Sequence, residues 1–158
     1  MPSVQAGEFE SWDALAQQAR GLLSGEPHRI ANAANLAALI FNGVPDLNWA
    51  GFYFVEGDEL IVGPFQGQPA CVRIAPGNGV CGTAMVSGET QRVEDVNAFA
   101  GHIACDPNSR SEVVVPLIES GRVVGVLDID SPIPGRFSDA DARGFEQLAA
   151  IYLASLAR

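Results

Sequence analysis

The spacing of apolar residues changes twice along this chain, and those changes restrict the folds open to it. Between residues 8 and 24, Phe9, Trp12, Leu15, Ala16, Ala19, Leu22 and Leu23 recur at helical spacing. After Gly25-Glu26-Pro27 a second, Ala-rich helix is predicted over 28–42, with Ile30, Ala33, Ala34, Ala37, Ile40 and Phe41 on its stripe. From Asn48 the period becomes two. Asn48–Val55 and Glu59–Phe65 flank Glu56-Gly57-Asp58, and Glu112–Ile118 and Arg122–Asp130 flank Glu119-Ser120-Gly121, so each pair reads as a β-hairpin. Shorter strands are predicted at Ala70–Ala75 and Gln91–Val96, and a short helix at Gly79–Val86. Residues 97–111 hold no period and read as a long irregular loop. Ser138 caps a last helix running to about Leu156, with Asp141 completing a capping box. Helices segregated to the chain ends around about six hairpin-linked strands predict an α+β fold. Its antiparallel sheet carries the N- and C-terminal helices on one face. A single domain over residues 1–158 is expected, a length that buries roughly two-thirds of the unfolded surface.

Charge removes several function classes. With a net charge of −10 and nine basic residues that form no stripe, nucleic acid and anionic membranes are not expected partners. Apolar runs such as Val123–Leu127 are far too short to span a bilayer. The acidic opening MPSVQAGEFESWD holds no apolar segment of the kind a secretory signal needs, so the cytoplasm is expected. A permanent disulfide is not expected in that reducing compartment. Two histidines, His28 and His102, leave little material for a His-based metal centre or a Ser–His–Asp triad.

The three cysteines, Cys71, Cys81 and Cys105, admit four readings: buried filler, metal ligands, a structural disulfide with one thiol left over, or working thiols. Structural zinc sites usually pair ligands as CxxC, and separations of 10 and 24 residues supply no such pair. His102, three residues before Cys105, remains a fourth ligand to weigh. Cys81 lies in the apolar segment GVCGTAM, where an inert buried thiol is the simplest reading. Cys105 lies in the polar, irregular HIACDPNSRS, where an exposed thiol invites oxidation unless oxidation chemistry is its purpose.

In VVGVLDID, alternation puts Val124, Val126, Asp128 and Asp130 on one face, and Val123, Leu127 and Ile129 on the other. Two acids ending an apolar strand are costly to bury unless a cation or proton donor joins them; otherwise the strand has simply reached solvent. Glu112 opens the neighbouring hairpin strand and comes across from Asp128 and Asp130. Three carboxylates and the Cys105 loop can therefore meet at one sheet edge. In NWAGFYFV, Trp49, Gly51 and Tyr53 share a face, either as plain core or as an aromatic wall for a cation or a methyl-sulfur group. No glycine arrangement matches a nucleotide-binding motif.

NWAGFYF, ACVRIAPGNGVCGTA, HIACDPNSRSEVVVP and GVLDIDSP together resemble the free methionine-(R)-sulfoxide reductases, enzymes with the GAF fold, from about Asn48 to Arg136. The resemblance implies reduction of the R epimer of free methionine sulfoxide without metal or organic cofactor. It makes Cys105 the nucleophile and Cys71 the resolving thiol, with Cys81 a third cysteine of variable role. It also makes Trp49 and Tyr53 pocket aromatics for the methyl-sulfur end, and Glu112, Asp128 and Asp130 the acids that meet the polar groups. Glu112 is the proton donor in this scheme, while Asp128 and Asp130 hold the α-ammonium. A Cys105 sulfenic acid would then condense with Cys71, and an external dithiol such as thioredoxin would reduce the product. Asp106 opposes a low Cys105 pKa and Arg110 favours one. The rival function is a non-catalytic GAF module that binds a small molecule and signals, although 158 residues leave little room for an output domain. The paired end helices leave a homodimer open.

Overall fold

A computed structural model describes residues 9–101 and 105–156. Helix α1 spans Trp12–Leu23, with the Ser11 hydroxyl accepting from Ala14 N–H at its start. Helix α2 spans Arg29–Gly43 behind a His28 cap. Strands β1 (Trp49–Glu56) and β2 (Glu59–Gly67) form the first hairpin; β3 (Arg73–Ile74), α3 (Gly79–Ser87) and β4 (Gln91–Val93) follow. A 3-10 turn at Val96–Ala98 leads to the second hairpin, β5 (Ser111–Glu119) and β6 (Arg122–Ser131). Helix α4 spans Asp139–Ser155 and starts with the Ser138–Asp141 capping box foreseen from the sequence.

The six strands form one antiparallel sheet in the order β3-β2-β1-β6-β5-β4. Helices α1, α2 and α4 cover one face, burying Phe52, Leu117, Leu127 and Ile129 against Leu36, Ile40, Phe145 and Leu148. Trp12 of α1 lies against Gly144 of α4, where a Cβ would collide with the indole. Its Nε1 donates to Asp141 at 3.2 Å, tying the two chain ends together. The short α3 covers part of the opposite face, where Trp49, Tyr53, Val80, Cys81, Val114 and Val126 form a smaller core. Both faces of β1 are therefore buried, which accounts for its unbroken aromatic and apolar sequence.

Four local expectations change, the first at Gln91–Val96, where the strand ends at Val93 and Val96 opens a 3-10 turn. The buried arc of α2 runs through Asn32, Leu36, Leu39 and Ile40 as well as Ala33 and Ala37, leaving Ile30 43% exposed and Ala34 on the surface. With alanine on every side of that helix, apolar spacing alone does not locate the buried face. The strand expected at Ala70–Ala75 contracts to Arg73–Ile74, because the chain before it is bonded to other parts of the molecule at Cys71. Val124 packs toward the helices and not beside Val126: Leu117 pairs with Gly125 and Ile118 with Val123, so Val124 is the extra residue of a β-bulge that reverses the alternation.

Candidate active site

Strand register builds the site in rows on the α3 side of the sheet. Trp49 pairs with Asp130, which pairs with Glu112, so one row crosses three strands. In the next row Gly51 pairs with Asp128, and Asp128 with Val114. Directly opposed residues of an antiparallel ladder share a face. The wet-strand reading of the acids therefore fails: Glu112, Asp128 and Asp130 are only 8%, 5% and 8% exposed. Gly51 has a specific reason to be glycine. A Cβ there would collide with the Phe65 side chain, which stacks on Trp49 with ring centres 5.1 Å apart. Trp49 in turn stacks on Tyr53 at 5.8 Å, completing an aromatic wall beside the acids.

Among the described residues no ion pair reaches the three acids, so protons must reduce their mutual repulsion. Burial first, then the charges of Asp128 and Asp130, pushes Glu112 well above the usual carboxylate range. Burial also raises Asp128, opposed by hydrogen bonds from Glu112 and Cys81, and raises Asp130 with a further contribution from Asp128. Asp128 is raised less than its two neighbours, because hydrogen bonding to Glu112 and Cys81 favours its charged form, so it is the first of the three to ionise. One oxygen of Asp128, Oδ1, is buried without a hydrogen-bond partner and awaits a donor.

All three cysteines are near this cluster. Cys71 and Cys105 are joined in a disulfide, with Cα atoms 5.3 Å apart, and both are half-buried. Cys105, Cys81, the three acids, Trp49 and Tyr53 line one cavity. Cys81 is buried, and its Sγ lies 4.0 Å from Glu112 Oε2. Burial, followed by Asp128 and Glu112, pushes its thiol pKa well up, so Cys81 is a poor nucleophile. Ligand atoms of Cys81, Glu112 and Asp128 lie within 4.8 Å of one another, close enough to grip a cation. The zinc set weighed from the sequence is different: two of its cysteines are bonded to each other, and His102 lies outside the described residues.

Several contributors carry no sequence signal. Asn48 Nδ2 donates to Asp106 Oδ2 at 2.9 Å and to Ser109 Oγ at 3.0 Å, which ties the Cys105 loop to the start of β1. Asp106 is also engaged through Oδ1 by Asn108 N–H, while Arg110 reaches toward Asp95, 3.8 Å away. The first turn of α3, at Gly79 and Val80, lines the cavity as well.

The GAF domain family model matches residues 31–156 of this chain. The free methionine-R-sulfoxide reductase of Escherichia coli is 52% identical over 136 residues, covering 86% of this chain and 82% of that protein. The solved fRMsr of Staphylococcus aureus in complex with substrate is 49% identical, with a TM-score of 0.89 over 92% of this chain and 95% of that one. The free methionine-R-sulfoxide reductase from Neisseria meningitidis, also solved with its substrate, is 42% identical, with a TM-score of 0.89 over 92% of this chain and 87% of that one.

Proposed function

Because the chain belongs to the GAF-domain family, and within it to the free methionine-(R)-sulfoxide reductases, we propose that it reduces free L-methionine (R)-sulfoxide with its own thiols. The single observation that carries this reading is the cavity where Cys105 of the Cys71–Cys105 disulfide meets three buried acids.

The substrate is a zwitterion with an oxidised sulfur. Its methyl-sulfur end lies against Trp49 and Tyr53, where a polarisable sulfur packs well on aromatic rings. The ionised Asp128, whose Oδ1 lacks a donor, receives the α-ammonium together with Asp130. The carboxylate is left to the positive amino end of α3. A Cys105 thiolate attacks the sulfoxide sulfur while Glu112 protonates the oxygen, which general acid catalysis accelerates by about 10²–10⁴-fold. The sulfoxide gains two electrons and leaves as methionine, and its oxygen ends on Cys105 as a sulfenic acid. The Cys71 thiol then attacks that sulfur; an S–S bond replaces the S–O bond and water departs. The Cys71–Cys105 disulfide of the structure supports this pairing.

A cycle that returns Cys105 to its thiol needs an external dithiol, and we assign this role to thioredoxin in the cytoplasm. The half-buried disulfide at the cavity supports access by such a reductant. A homodimer through the end helices is part of this proposal, and sedimentation reads it directly. NADPH consumption with thioredoxin and its reductase tests the function. Turnover is expected with the free R epimer and not with the S epimer or a peptide form. A signalling GAF module would instead bind the ligand and leave every thiol unoxidised.

A further inference from the structure

The two aromatic residues of the cavity wall bond through their polar ends to the main chain that carries Cys71. Trp49 Nε1 donates to the carbonyl of Gln68 at 3.2 Å, and the Tyr53 hydroxyl donates to the carbonyl of Cys71 itself at 3.1 Å. The segment they hold, residues 68–72, lies outside the sheet, and once the Cys71–Cys105 disulfide is reduced it loses its covalent tie. Val62 N–H donates to Val72 O at 2.9 Å, and the strand pairing resumes only at Arg73 and Ile74. Tyr53 is rigid: it is 2% exposed, stacked on Trp49 and paired within the sheet to both Val62 and Val126. Burial, then the charge of Asp128, pushes its hydroxyl far above the usual phenol range, so it remains a donor throughout the working pH.

We infer that Tyr53, through its hydroxyl bond to the Cys71 carbonyl, is a positioning residue for the resolving step, holding Cys71 where its sulfur reaches the sulfenic acid on Cys105. The ring and the hydroxyl then have separate duties. The ring faces substrate in the first half-reaction. The hydroxyl acts in the second, in which the Cys71 sulfur forms a bond to the Cys105 sulfur, the S–O bond breaks, and the departing hydroxyl leaves with the Cys71 proton as water. Orientation matters most in such an intramolecular step, because small displacements of the attacking atom cost large factors in rate. The assignment presupposes the reductase reading above.

Tyr53→Phe removes the hydroxyl and keeps the ring. The reduced protein is mixed with one equivalent of free methionine (R)-sulfoxide without reductant, and methionine release, loss of free thiols and dimedone capture at Cys105 are followed together. In the wild-type chain, methionine appears with the loss of two thiols and little dimedone adduct. In Tyr53→Phe, the second thiol should lag methionine release by roughly tenfold in rate, with the dimedone adduct accumulating at Cys105. Cys71→Ser gives the limiting case, in which the adduct forms and no second thiol is lost. If methionine release and thiol loss slow together in Tyr53→Phe, or neither slows, the positioning role is overturned. If the wild-type chain itself releases no methionine, the reductase reading fails instead. A hydroxyl that only stabilised the fold would lower the unfolding midpoint without separating the two half-reactions.

Discussion

Glu112 and Asp130 stand directly opposite one another on β5 and β6, both buried, with no ion pair to either among the described residues. The proton that makes this tolerable is the one the proposed mechanism draws on. Glu112→Gln keeps the shape and a hydrogen bond but has no acidic proton to deliver, so kcat should fall by about 10²–10⁴-fold. In the wild-type chain kcat should also decline on the alkaline side as Glu112 deprotonates. Steady-state pH profiles of both proteins read the two effects.

The same raised carboxyls make stability depend on pH in an unusual direction. An acid whose folded pKa exceeds its unfolded value binds more protons folded than unfolded, so stability falls as pH rises between the two values. For Glu112 the window opens near its ordinary value of 4.5 and extends upward, since burial and the neighbouring acids raise it. Glu112→Gln should therefore match the reduced wild type in urea midpoint near the bottom of that window and exceed it increasingly toward neutral pH. Midpoints at several pH values check this.

Cys105→Ser should release no methionine and lose no thiols, whereas Cys81→Ala should retain both half-reactions, because burial among acids keeps Cys81 protonated. Thiol titration after a single equivalent of substrate distinguishes them. Retained thiol loss in Cys105→Ser would transfer the nucleophile's role to Cys81.

Blocking the α-amino group of methionine sulfoxide removes the cation that the proposed mechanism sets against Asp128 and Asp130. A site built around buried polar groups rejects a ligand that leaves them unpaired by about 10⁴-fold or more. N-acetylmethionine sulfoxide should show that loss in kcat/KM, and Asp128→Asn should narrow the gap between the two substrates.

Away from the site, Gly144→Ala would push a methyl into the Trp12 indole. Overpacking of this kind costs about 1–3 kcal/mol. The unfolding midpoint should drop, while kcat at temperatures below the transition should stay at the wild-type value.

The fold was legible because its strongest signals are local: two hairpins with explicit turn residues, a capping box and helical stripes at the ends. The acid cluster was partly legible too, since the period-two pattern put Asp128 and Asp130 on one face and the hairpin brought Glu112 across from them. Burial of those acids was not, because it depends on α3 and the Cys71 segment folding over a strand end that looks open in one dimension. Nor was the bulge at Val124, which no turn residue announces. Asn48, Tyr53 and Trp49 show a related limit. Asn48 reads from the sequence as an ordinary strand residue and the other two as rings of a pocket wall; only the contacts of their polar ends with distant loops reveal that the start of β1 anchors both cysteine-bearing segments.

The most direct test of a nucleophilic thiol set in an acid-lined pocket is mass spectrometry of the reduced protein after one equivalent of free methionine (R)-sulfoxide, with no reductant present. One methionine per chain, a Cys71–Cys105 cross-linked peptide and a free Cys81 are predicted. Unchanged sulfoxide with all three thiols intact would contradict the account.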